Sequence, residues 1–211
     1  MGGADRILVL SNGSAARLKC ELPHKSGNII VMHWGPQLNS PIYIDTRTEA
    51  VYDFVSAGKT NRNYSWLRER AIAERANGLI IRDEAVERFA DGQHTLAPNL
   101  LDYEETVNYM KSSRVIVIPL DDPERLSGLT EAADAIGLSK PMLVSNSVLF
   151  PFDVEESKGG AWLDVGIPLM ENIKKAESNM SNKGSGLAKL YTIDVYAEEL
   201  LNIFRECVDV Q

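Results

Sequence analysis

Short apolar runs alternate with longer amphipathic stretches along almost the whole chain. Strand-like runs fall at 6–10 (RILVL), 28–34 (NIIVMHW), 51–57 (VYDFVSA), 78–82 (GLIIR), 94–97 (HTLA), 114–120 (RVIVIPL), 141–146 (PMLVSN) and 161–165 (AWLDV). Helical spacing runs from Ser11 to about Leu22 and at about 63–76, 103–112, 128–138, 168–178 and 188–207. Residues 35–50 carry two prolines and no clear period, and they read as a linker. Strands of this length alternating with helices predict βαβ units and a parallel sheet. Right-handed crossovers then put helices on both faces. The expected fold is therefore α/β, a Rossmann-like three-layer αβα sheet. Ligands of such sheets bind beyond the carboxyl ends of the strands, where helices begin. That rule singles out the loops 56–63, 98–102, 119–130 and 145–152.

Composition narrows the function. The 211 residues are enough for a proper core, and 44% apolar with 25% charged residues is ordinary for a soluble globular chain. A net charge of −8 argues against general affinity for nucleic acid or anionic membrane, leaving room for a local basic pocket. Cys20 and Cys207 lie near opposite ends with no metal-ligand spacing, which suits a reducing cytoplasm. His24, His33 and His94 do not form a ligand set either, so no metal site is expected. No apolar run approaches the roughly 20 residues of a membrane-spanning helix. The N-terminal MGGADRILVLSNGS lacks a basic region and a cleavage site, so it does not read as a signal peptide. The expected location is cytoplasmic.

Two loops carry candidate chemistry. Gly58-Lys59-Thr60 has the ending of a P-loop, but the first glycine of that motif falls on Asp53, so no glycine-rich cradle forms. Gly58 still allows a tight exit from the strand, and Lys59 and Arg62 lie beside the start of the 63–76 helix. Two cations and a helix N-terminus suit a phosphate or diphosphate, against the plainer reading of solvated surface cations. In the second loop, Ser127 and Gly128 open the 128–138 helix, where a hydroxyl and unobstructed N–H groups favour a diphosphate. Asp134, one and a half turns on, is positioned to accept from vicinal hydroxyls. Taken singly, Ser127 reads as an N-cap and Asp134 as a solvated carboxylate. His33, beside Trp34, reads as a packing histidine before it reads as a base.

In order along the chain, these stretches resemble the donor-binding half of "group 1" retaining glycosyltransferases of the GT-B fold. SGLTEAADAIGLSKPMLVSNS (127–147) is similar to the family's donor motif, in which E-x7-E brackets a G-L-T-like helix start before K-P-V-I-V-S. FVSAGKTNRNYSWLRE (54–69) resembles the first strand–loop–helix of that domain, and SSRVIVIPL (112–120) the strand before the motif. The resemblance divides the chain into a part of the N-terminal domain plus linker (1–50), a nucleotide-sugar-binding domain (51–186) and a closing helix (187–211). It implies that Gly58, Lys59, Arg62, Ser127, Gly128, Leu129 and Thr130 hold the donor diphosphate, Asp134 the ribose, and Asn99 and Leu100 the nucleobase. No cofactor is implied beyond a donor such as a UDP-sugar or GDP-sugar. The first Glu of the pattern falls on Leu126, leaving Glu124 as the nearest catalytic candidate, and Asp134 replaces the second. The implied partner is an acceptor-binding N-terminal domain, missing or supplied in trans, without which donor binding but little transfer is expected. The alternative is a GT-B-like interaction subunit that docks a partner and transfers nothing.

Overall fold

The computed structural model describes residues 6–44, 49–180 and 186–209. The first five residues, part of the N-terminal stretch weighed above, lie outside that set, as do 210 and 211 of the closing segment. A small unit comes first: β1 (Ile7–Val9) and β2 (Ile29–Val31) pair in parallel, with α1 (Asn12–Glu21) between them. Ser11 caps α1 by accepting from the Ser14 amide.

The main sheet has seven strands in the order β6-β5-β4-β3-β7-β8-β9: β3 (Tyr52–Ala57), β4 (Gly78–Ile81), β5 (Ala85–Ala90), β6 (Gln93–Pro98), β7 (Ser113–Ile118), β8 (Met142–Ser145) and β9 (Gly160–Leu163). The five strands from β4 to β9 through β3 are mutually parallel. The apolar runs look continuous because each is buried on both sides, and the period of two sorts their residues between two cores. Val55, Leu79, Ile116, Ile118, Met142 and Val144 face α3 (Tyr103–Lys111) and α4 (Leu129–Gly137). Phe54, Ile80, Val115, Val117 and Leu143 face α2 (Tyr64–Ala73) and α5 (Leu169–Asn179). Each such side chain contributes about 1.5–3 kcal/mol by leaving water. This is the three-layer architecture expected from the sequence. Among the described residues, no helix is long and apolar enough to cross a membrane.

Two differences from the expected elements have clear causes. The 94–97 run is not a lone parallel strand but the second arm of a hairpin, pairing antiparallel with β5, which the periodicity did not reveal. Its two-residue turn is Asp91-Gly92, both at positive φ, the local geometry that an Asp-Gly hairpin needs. Two reversals restore direction, so β6 runs the same way as β4 and its exit loop still opens at the carboxyl end. The closing helix is broken into α6 (Leu187–Leu190) and α7 (Ile193–Asp209). Tyr191 at the break donates to the Pro151 carbonyl at 3.1 Å, and Thr192 caps α7 by accepting from the Val195 amide.

The hairpin is tied to the body through Glu87 on β5, 1% exposed. It accepts from both Nε and Nη2 of Arg68 on α2, at 2.7 and 2.8 Å, and bonds His94 Nε2 at 3.0 Å, while Arg82 forms an ion pair with it at 3.1 Å without a hydrogen bond. Burial pushes this carboxyl up, but the Arg68 fork, Arg82 and His94 together outweigh it, and the net shift is downward. A depressed carboxylate stabilises the fold above its unfolded pKa, about 4.3, and loses that contribution as pH falls through the folded value. Arg68→Met is expected to cost about 2 kcal/mol at pH 7 through the lost charged hydrogen bonds. Urea denaturation across pH should show the gap to wild type closing on the acid side; a gap constant with pH contradicts this account.

Candidate functional site

The chain runs outward from β3 to β4, adds the hairpin, and then returns to lay β7 on the other side of β3. The order reverses there, so the β3 exit loop leads to α2 on one face and the β7 exit loop to α4 on the other. A crevice must open between them. It is occupied by a cavity of about 600 Å³ lined by the exits of β3 and β4, the segment 99–110 and residues 126–134. That volume is in the range of small-molecule pockets. Gly58, Lys59, Arg62, Asn99, Ser127, Gly128, Leu129, Thr130 and Asp134 all line it. Leu100 points away, 89% exposed, and Glu124 is not part of the lining. The 145–152 loop does not reach the cavity; Ser147 braces the acidic loop by donating to the Pro123 carbonyl at 2.6 Å.

The two main loops are joined by Asn61. Its amide Nδ2 donates to the Ser127 hydroxyl at 2.7 Å and to the Asp122 carbonyl at 3.0 Å, while Oδ1 accepts from the Asp122 amide at 2.7 Å. Asn61 sits at φ 55°, in the left-handed region where asparagine is the best tolerated residue after glycine. The Asn63 amide also donates to the Pro119 carbonyl at 2.6 Å.

This bonding revises several expected roles. Ser127 is not an N-cap: its hydroxyl accepts from Asn61 and faces the Arg125 carbonyl. The cap of α4 is Gly128, at φ 82°, and no side chain caps the helix. The N-terminus beside Arg62, that of α2, is the one closed by a side chain, since Asn63 accepts from the Trp66 amide. The helix N-terminus at the cavity with no side-chain cap is thus that of α4.

Lys59 and Arg62 are not a matched clamp either. Lys59 is exposed and ion-paired with Asp83 at 2.7 Å. Arg62 is buried, its side chain 5% exposed, and its Nη2 donates to Glu131 Oε1 at 2.7 Å; Glu131 is 9% exposed. Nη1 is held by the carbonyls of Thr60 and Asn61. Position 58 must be glycine for this pair to exist: φ is 132°, and a Cβ there would lie 2.3 Å from Glu131 Oε1 and 2.8 Å from Arg62 Nε.

Asp134 is buried (2% exposed) rather than solvated. Its Oδ1 accepts from the hydroxyls of Tyr43, at 2.8 Å, and Tyr103. Tyr43 comes from the linker and lies over Gly137, where any side chain would strike its ring. Burial pushes the Asp134 carboxyl up, the two tyrosine hydroxyls pull it back, Glu131 adds to the rise, and the net shift is upward. Tyr103 is pushed up to about 12 by burial and by its bond to Asp134, and Tyr43 is raised further by the same causes. Asn99 spends its side chain locally, donating to the Arg82 carbonyl and accepting from the Leu101 amide. His33 pairs with Glu199 of α7 and meets Tyr191 edge-on, remote from the lining. Among the described residues, no group of acids, histidines and cysteines could hold a metal ion.

The sequence reading did not find Glu131, Tyr43, Tyr103, Asp83 or Asn61. Glu131 had a signal of sorts, a carboxylate in the first turn of the very helix identified, opposite two cations. The tyrosines had none, because only the fold brings 43 and 103 to one carboxylate.

No family model and no curated protein matches the chain. Among solved structures it is similar to a lipopolysaccharide outer core galactosyltransferase, WaaB, in its apo form: 12% identity, TM-score 0.55, over 96% of this chain and 62% of that one. A structure of accessory secretory proteins 1, 2 and 3 from Streptococcus pneumoniae aligns at 15% identity and TM-score 0.47, over 98% of this chain and 43% of that one. The chain thus spans less than two thirds of the galactosyltransferase it matches. At this identity the likeness is one of fold, and that fold is GT-B-like.

A carboxyl raised by burial stabilises the fold below its unfolded pKa and loses that contribution as pH rises through the folded value. At pH 7 the charged Asp134 is therefore a liability to the fold. Asp134→Asn keeps an acceptor for both tyrosines and removes the buried charge. It is expected to melt above wild type at pH 7, with the difference shrinking as pH falls; calorimetry at pH 7 and pH 4 checks the sign.

Proposed function

We propose that the chain binds a nucleoside diphosphate sugar in this cavity, as the donor-binding, C-terminal half of a retaining GT-B glycosyltransferase. Transfer to a glycan or other acceptor takes place when an acceptor-binding N-terminal domain closes the cleft. The observation carrying this reading is the uncapped N-terminus of α4 opening into a cavity at the strand-order reversal, with Lys59, Arg62 and Asp134 on its wall. The diphosphate lies against the α4 amides of Leu129 and Thr130, with Lys59 turning from Asp83 to meet it. Asp134 accepts from the ribose hydroxyls, and the base lies toward Asn99. As the sugar leaves through an oxocarbenium-like state, charge gathers on the diphosphate, where those donors stabilise it.

A second reading, a GT-B-like subunit that docks a partner without transferring a sugar, is favoured by Leu126 where the motif has Glu, and by the pairing of both loop cations. Titration calorimetry with UDP, GDP and ADP separates the two. The donor reading expects saturable binding of at least one, weakened about tenfold by Lys59→Ala, in line with the ~1.5–3 kcal/mol of a charged hydrogen bond. Asp134→Asn should weaken it comparably even as it stabilises the fold. Binding of none of the three nucleotides defeats the reading, and binding that ignores both substitutions moves the ligand elsewhere.

A further inference from the structure

The geometry points to Glu131 as an internal stand-in for phosphate: it holds the edge of Arg62 that a ligand phosphate takes, and so sets the cavity's affinity for phosphates. The inference rests on the donor-site reading above.

The guanidinium of Arg62 is fixed on one side by the Thr60 and Asn61 carbonyls, at 2.8 and 3.2 Å. Its other edge, Nε and Nη2, is the fork that matches two oxygens of a carboxylate or phosphate. Glu131 uses only half of it: Oε1 accepts from Nη2, and Nε is buried with no hydrogen-bond partner. A buried charged donor left unpaired is unfavourable, so the site is incomplete as it stands.

Gly58 leaves room for the Arg62–Glu131 pair, since a side chain there would lie 2.8 Å from Nε, 2.9 Å from Nη2 and 2.3 Å from Glu131 Oε1. Nη2 already donates to that oxygen at 2.7 Å. Two ligand oxygens that take Nε and Nη2 together must therefore displace the Glu131 carboxylate from Nη2. Gly58 and Arg62 both line the cavity, as do the first residues of α4, whose amides have no side-chain cap. A phosphate entering there gains the whole fork and the helix amides, and gives up the energy of parting Glu131 from Arg62. Glu131 is itself in the first turn of α4, so its charge also occupies the favourable end of that helix. Ligand and side chain compete for the same two donors.

The test uses calorimetric titration of the full chain with inorganic pyrophosphate, UDP and uridine, for wild type, Glu131→Gln and Glu131→Asp. Glu131→Gln should bind pyrophosphate and UDP at least tenfold more tightly than wild type, with uridine unchanged. Glu131→Asp, which keeps the charge but withdraws it by one methylene, should fall between, and it carries the test if the glutamine variant does not fold. Equal or weaker binding by the variants, with wild type binding UDP, overturns the role of Glu131 and leaves the donor site standing. Binding by the variants alone upholds it and overturns donor binding by the native chain. Binding by none overturns both.

Discussion

The handedness of parallel strand crossovers is the constraint on which the rest of this molecule depends. A strand leading through a helix to a parallel neighbour turns in one sense only, so moving left from β3 puts α2 on one face and moving right from β7 puts α4 on the other. The chain reverses its direction of travel between β3 and β7, and the two loops at that point depart to opposite faces. No packing choice can close the gap between them without abandoning the handedness. The cavity is thus a consequence of strand order. What the local sequence decides is how that gap is walled.

The walls are made from groups that are poor choices for stability taken alone. Asn61 adopts a left-handed backbone, Gly58 and Gly128 adopt positive φ, Arg62 and Glu131 are both withdrawn from water, and Asp134 is charged in a buried place. A buried ion pair is weak evidence for stability, because desolvation offsets most of the attraction, but removing one partner costs about 3–5 kcal/mol. Buried charge and positive-φ backbone gathered at one spot, above parallel strands that are mostly apolar, is the distribution expected where function rather than folding chose the residues. The Glu87 cluster on the hairpin is the contrast. There the ion pairs outweigh the burial of the carboxylate, and the network fastens one element to another.

Legibility in the sequence followed the range of the interactions. Strands buried on both faces announced themselves as apolar runs, and the helices between them as amphipathic spacing, so the layers and the carboxyl-end loops were readable. β5 was not, because Ala85–Ala90 carries Glu87 and Arg88 in its middle, and only Asp91-Gly92 marked the hairpin. The break before α7 was equally hidden: Thr192 is a sound cap, but the need for it arises from Tyr191 reaching Pro151. At the site, the loops and residues such as Gly58, Lys59, Arg62 and Gly128 could be placed by local rules, while Asn99, Leu129 and Thr130 came from the family resemblance. Their partners could not. That Arg62 is matched by Glu131, 69 positions away, and Asp134 by Tyr43, 91 away, is a fact of the fold. Ser127 was misjudged for the same reason, its hydroxyl being claimed by Asn61 from the opposite loop.

The chain carries a net −8, and the cations at the cavity each have a carboxylate: Lys59 with Asp83, Arg62 with Glu131, Arg82 with Glu87. Such a surface does not draw anions from a distance, since paired charges largely cancel, the net charge is negative, and salt screens what remains beyond about 8 Å. On the proposed reading, discrimination has to be made at contact, by neutral amides at the start of α4 and by exchange of the Glu131 carboxylate for a ligand phosphate on Arg62. That arrangement favours ligands whose phosphate and ribose fit both ends of the cavity over those that merely carry charge. Recognition in this cavity is then a matter of geometry first, with electrostatics entering only once the internal carboxylates have been displaced.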